Sequence, residues 1–143
     1  GDYLRSLGAT EVLNRLEFAE QGRPLQKARF AGGVDTVGGD VLTNLLAQTL
    51  YGGTIAACGL AGSAALPATV MPFILRNVTL AGVDSVQTPL PRRQQAWDLL
   101  AARLDLQLLD TLTTTVGLEQ TIAAAERLMA GQSHGRIVVD VRA

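Results

Sequence analysis

With 143 residues, the chain is long enough for one domain with a modest core. Hydrophobic residues make up 48% and charged residues 17%, which argues against disorder. A net charge of −1, no run of basic residues and 4% aromatics argue against a nucleic-acid partner, a membrane surface or a base-stacking platform.

The single cysteine, Cys58, excludes an intrachain disulfide framework and a multi-cysteine metal site. The single histidine, His134, argues against a zinc site built from this chain alone. A lone free cysteine fits a reducing, cytoplasmic compartment. The apolar run 41–62 is interrupted by Asn44, Gln48 and four glycines, so it does not read as a membrane span. The chain starts Gly1-Asp2-Tyr3, inside an expected helix and without an initiator methionine or a signal peptide. The expectation is a chain that begins partway through a larger protein.

Residues 2–7 read as a short helix stopped by Gly8, with Tyr3, Leu4 and Leu7 on one face. Glu11-Val12-Leu13 reads as a brief strand, 16–21 as a helical turn and 22–25 as a loop. Residues 26–30 lead into a strand centred on Val34. Gly38-Gly39 then turns the chain, Asp40 opens a helix over 41–50, and Gly52-Gly53 ends it. Residues 54–58 form a second apolar strand, broken by Gly59 and Gly62. Strand, turn, helix, turn and strand make one βαβ unit, whose parallel strands need a crossover of about a dozen residues. The strands are too apolar to alternate, which suits a sheet covered on both faces.

After a long connection, 70–75 reads as a short helix with Pro72 in its first turn, closed by Arg76-Asn77. The segment from Val78 to Asp84 is a third strand, and Pro89 and Pro91 punctuate a loop. Residues 92–104 have the period of an amphipathic helix, with Ala96, Leu99, Leu100 and Leu104 on one side. Past Leu106 the texture changes to a β-rich threonine run (111–116), a helix (120–129) and a terminal strand (135–141).

Ligands of open parallel sheets bind beyond the carboxyl ends of the strands. Segments 36–39, 59–62 and 84–88 would project there, rich in glycine and small polar residues. Such glycines either admit a ligand and offer N–H groups to it, or are only tight turns. No G-x-G-x-x-G follows a strand and no G-x-x-x-x-G-K-[ST] occurs, so a pyrophosphate anchor is missing. Cys58, at a strand end, reads as a small buried hydrophobe. His134, in a polar turn, reads as solvent-exposed. Arg15 and Arg76 follow apolar pieces; each reads as either solvated or able to meet a phosphate.

Several strings are more specific. AACGLAG (56–62), LPATVMPFILRNVTLAGVDS (66–85), YLRSLGATEVLNRLEF (3–18) and the terminal GRIVVDV closely resemble the acrylyl-CoA reductase branch of the quinone oxidoreductase-like, zinc-independent medium-chain dehydrogenases/reductases. The resemblance spans essentially the whole chain. It implies an α/β fold: part of a Rossmann-like doubly wound parallel sheet lacking its first strands and glycine loop, followed by a tail belonging to a GroES-like catalytic domain. The implied division is 1–105, NADP-binding, and 106–143, the returning tail.

By the same resemblance the cofactor is NADP(H), held by Arg15 on its adenosine side, Leu60 over the nicotinamide end, and Ile74 and Ser85. Gln132 stands where relatives often carry Asn. No catalytic or metal-binding residue is implied within this chain. The implied reaction is NADPH-dependent reduction of an enoyl thioester such as acrylyl-CoA, with the isolated chain inactive. The alternatives are a quinone or enone reductase and, in a different class, a non-catalytic half-Rossmann binding or dimerisation module. A homodimer through the edge strand from Val78 to Asp84 is also implied, since an exposed apolar edge recruits another strand.

Overall fold

The computed structural model describes residues 1–142, which fall into two compact units, Gly1–Thr88 and the described residues from Pro89 onward. No helix among the described residues is long and apolar enough to cross a membrane.

The first unit begins with α1 (Asp2–Ser6), followed by a 3-10 turn (Arg15–Phe18). Then come β1 (Phe30–Asp35), α2 (Gly39–Ala47), β2 (Thr49–Ala57), α3 (Met71–Arg76) and β3 (Thr79–Gly82). The strands form one parallel sheet in the order β1-β2-β3. Both crossovers advance across the sheet in the same direction. With the usual right-handed connection, that puts α2 and α3 on one face.

That face holds the core. Leu42 and Leu46 of α2 pack with Ile55 and Val78, joined by Leu45, Phe73 and Leu80. Gly33, Ile55 and Leu80 lie in one cross-strand row, and Val34, Ala56 and Ala81 in the next. Successive side chains of a strand point to opposite faces. The second row therefore faces away from the helices, and Val34 is 72% exposed. The apolar strands suggested cover on both faces; within the first unit the helices cover one of them.

Three boundaries depart from the sequence reading. The helix expected to run to Gly52-Gly53 stops at Gln48, and β2 starts at the fully buried Thr49, whose Oγ1 donates to the Leu45 carbonyl at 2.7 Å. Gly52 and Gly53 lie inside β2, where its register with β1 jumps from Phe30↔Thr49 to Gly32↔Thr54. A Cβ on Gly53 would come 2.6 Å from the Ala31 carbonyl oxygen, so this glycine serves strand approach rather than helix termination. Glu11-Val12-Leu13 is not a strand, because no described segment forms a ladder with it.

Arg76 corrects a further expectation. It is neither solvated nor poised for phosphate. Its guanidinium donates from Nη1 to the carbonyls of Ala47 (2.8 Å) and Thr49 (3.4 Å), and from Nη2 to that of Gln26 (2.6 Å). It thereby ties α3 to the end of α2 and to the entry of β1. Asn77 follows in the left-handed conformation (φ 49°) and stops α3.

The second unit contains α4 (Leu90–Arg103), α5 (Leu106–Leu112), β4 (Thr113–Gly117), a 3-10 turn (Leu118–Gln120), α6 (Thr121–Met129) and β5 (Arg136–Asp140). β4 and β5 pair in parallel as a separate two-stranded sheet, with α6 as the crossover, as the strand–helix–strand reading expects. Helix α5 is an addition: Asp105 caps it, its carboxylate accepting from the Leu108 N–H at 3.0 Å. Helix α4 starts earlier than expected, with Pro91 in its first turn, and buries none of its residues.

Candidate functional site

All three strands point their carboxyl ends the same way, so the loops after Asp35, Ala57 and Gly82 meet along one edge. They line an open cleft of about 570 Å³. Leu42, Ala57, Leu60, Leu66 and Val83 supply apolar walls, and Cys58, Ser63 and Asp84 are the polar groups. All three projecting segments singled out in the sequence contribute to it.

The floor of this cleft is two loops bonded to each other. The Thr36 carbonyl accepts from the Ala61 N–H (3.1 Å), and the Val37 carbonyl accepts from Gly62 (2.9 Å) and Ser63 (3.1 Å). The Gly39 N–H donates to the Ala65 carbonyl at 3.0 Å. The Gly38 N–H donates to the buried Asp35 carboxylate at 2.9 Å, closing the turn after β1. Glycine is required at two places. Gly38 has φ +74°, and its missing Cβ would collide with the Ser63 carbonyl oxygen. A Cβ on Gly59 would stand 2.7 Å from the Thr36 carbonyl oxygen. The N–H groups of Gly38, Gly39 and Gly62 are thus engaged within the protein. These glycines permit loop-to-loop contact.

The five residues assigned by resemblance lie in different places. Leu60 is on the cleft wall and 66% exposed. Ser85 directly follows Asp84, whose Oδ1 accepts from the N–H groups of Val86 (2.8 Å) and Gln87 (3.2 Å) to shape the turn beyond β3. Ile74 is exposed on α3 and Arg15 is exposed on the 3-10 turn; neither lines the cleft. Asn14 caps that turn, its Oδ1 accepting from the Leu16 N–H at 3.0 Å. Gln132 belongs to the second unit, where its N–H donates to the Arg127 carbonyl at 2.9 Å behind α6.

Cys58 is exposed rather than buried, because β2 ends one residue before it. Its thiol lies 3.4 Å from the Asp35 carbonyl oxygen. His134 is exposed, as expected of its polar turn. Among the described residues no group of three or more His, Cys, Asp or Glu side chains is arranged to hold a metal ion. Sequence reasoning missed Asn44, which lies among the apolar positions of α2 yet is buried and fully hydrogen-bonded. An asparagine in an apolar helical run was the available signal.

Residues 1–102 match the family model described as zinc-binding dehydrogenase. The chain is 53% identical over 140 residues to the probable acrylyl-CoA reductase AcuI of Escherichia coli, covering 98% of this chain and 43% of that protein. It is 46% identical over 143 residues to the acrylyl-CoA reductase AcuI of Ruegeria pomeroyi, covering 99% and 43%. It is 41% identical over 140 residues to the putative quinone oxidoreductase YhfP of Bacillus subtilis, covering 96% and 42%. The crystal structure of E. coli K-12 YhdH with bound NADPH superposes with a TM-score of 0.92 at 53% identity, covering 98% of this chain and 43% of that one. The chain therefore spans less than half the length of these relatives. With its parallel α/β sheet and a match over most of its length, the chain belongs to the zinc-binding dehydrogenase family.

Proposed function

We propose that this chain is the cofactor-binding part of a cytoplasmic, NADPH-dependent reductase that reduces the activated C=C bond of an enoyl thioester, acrylyl-CoA or a close analogue. The observation that carries the reading is the apolar cleft at the carboxyl edge of the sheet, with Leu60 on its wall. It is supported by the names of the two AcuI relatives and by the NADPH bound in the E. coli YhdH structure.

The residues present suit a nicotinamide ring, which needs a water-poor slot with few polar anchors. When bound, the cofactor supplies a hydride from C4 of its ring to the β-carbon of the thioester. Leu60 and the apolar walls beside it exclude water from one face of that slot. Ser85 anchors at the rim, Ile74 adds apolar contact, Arg15 meets the adenosine side, and Gln132 is a further cofactor contact of this reading. Residues 1–105 serve as the NADP-binding portion, and 106–143 return to the catalytic domain. No metal takes part. The outer edge of β3 has no partner strand among the described residues and is the proposed homodimer seam.

The test is NADPH oxidation with acrylyl-CoA by the longer protein that carries this chain, compared with the 143-residue chain alone. Turnover is expected only from the longer protein, and Leu60→Asp should raise its KM for NADPH. Failure to oxidise NADPH with any enoyl-CoA would sink the proposal. Turnover with quinones alone would support the second reading, a quinone reductase, which the name of the B. subtilis relative favours.

A further inference from the structure

Asn44 sits on α2 with 2% of its surface exposed, and its side-chain amide is fully used. Nδ2 donates to the carbonyls of Phe18 (3.2 Å) and Glu20 (2.8 Å). Oδ1 accepts from the Gly22 N–H (3.2 Å) and from Gln26 Nε2 (2.7 Å). Two carbonyls on one side and two N–H donors on the other admit a single orientation of the amide. The chain between the Arg15–Phe18 turn and β1 has no helix or strand of its own, so these bonds fasten it to α2. Gly22 permits the approach: a Cβ there would come 2.5 Å from Asn44 Oδ1.

Phe18, whose carbonyl takes one of these bonds, is the last residue of the turn that Arg15 begins. Its ring is buried, with its centroid 6.3 Å from that of Phe30. Asn44 therefore fixes, at its carboxyl end, the turn whose other end presents Arg15. We propose that Asn44 is a positioning residue for cofactor recognition, holding the Arg15 turn where the guanidinium meets the adenosine side of the dinucleotide. This rests on the reading of Arg15 given above. A merely structural amide would affect melting and nothing else.

The test joins tryptic cleavage of the 143-residue chain to NADPH kinetics of the full-length reductase. Asn44→Ala is expected to speed cleavage after Arg15 about tenfold and cleavage after Arg103 by less than about twofold, because only the first segment is released. It should raise KM for NADPH about tenfold while leaving kcat at saturating NADPH within about twofold, the pattern of lost uniform binding. Arg15→Ala should raise KM similarly, and the double variant should be no worse than Arg15→Ala, since both changes remove one contact.

If Arg15→Ala leaves KM unchanged, the reading of Arg15 fails and takes the proposal with it. If Arg15→Ala raises KM while Asn44→Ala lowers only the melting temperature, or if the two effects add, the proposal alone is overturned. Should Asn44→Ala not fold, Gln26→Ala removes one of the four partners and carries the same comparison; an unchanged KM there refutes the proposal.

Discussion

Arg76→Ala offers a direct measure of how the first unit is held together. The guanidinium makes two short bonds to carbonyls, at 2.6 and 2.8 Å, and a longer one at 3.4 Å. A hydrogen bond from a charged donor contributes about 1.5–3 kcal/mol net. Two such bonds, reduced by roughly half because the side chain is only partly buried, give about 1.5–3 kcal/mol. With a urea slope of about 2 kcal/mol per molar, the unfolding midpoint should fall by about 0.8–1.5 M. Arg76→Lys should lose about half as much, because one ammonium cannot reproduce the planar fork. Urea denaturation followed by circular dichroism reads both variants. A midpoint shift below about 0.2 M for Arg76→Ala would show that the side chain is an ordinary solvated cation, and the clamp would be refuted.

Gly59→Ala should lower stability by about 1–3 kcal/mol, since its Cβ would press on the backbone of Thr36, which cannot swing aside. Gly82→Ala meets nothing within 4 Å and should be neutral or slightly stabilising, so equal melting temperatures for the two variants would refute the packing argument. Cys58 should react with a thiol reagent in the native protein, more slowly than in the unfolded chain because its thiol also contacts the Asp35 carbonyl; a silent thiol would contradict its exposure. Sedimentation of the 143-residue chain should show concentration-dependent self-association, weakened by a proline in place of Gly82, whose N–H faces the open edge of β3; a single monomeric species at every concentration would count against the edge-strand seam.

The β1–α2–β2 unit was legible because its glycine turns and its helical spacing agree, and the Pro72 helix because proline marks its start. The end of α2 was not. Gly52-Gly53 carries the usual mark of a helix stop, and only the approach of Ala31 from the neighbouring strand shows that this pair belongs to a sheet. Helix α5 was hidden because the threonine run favours strand, while the cap at Asp105 is a single residue. Glu11-Val12-Leu13 has a strand's composition, but a strand exists only with a partner. The clamp of Arg76 could not be read locally, since one of its acceptors, Gln26, is 50 positions away. At the cleft, the three projecting segments were legible from topology. The use of their N–H groups was not, because those bonds depend on one loop lying against another.

That bonding between the loops has a thermodynamic consequence for whatever enters the cleft. Five backbone N–H groups, those of Gly38, Gly39, Ala61, Gly62 and Ser63, already have acceptors within the protein. The conformational entropy of these loops is given up during folding, so an arriving ring need not freeze them. Calorimetry of ligand binding should then report a heat-capacity change that tracks the apolar surface the ring covers, without the larger decrease that accompanies folding of a segment.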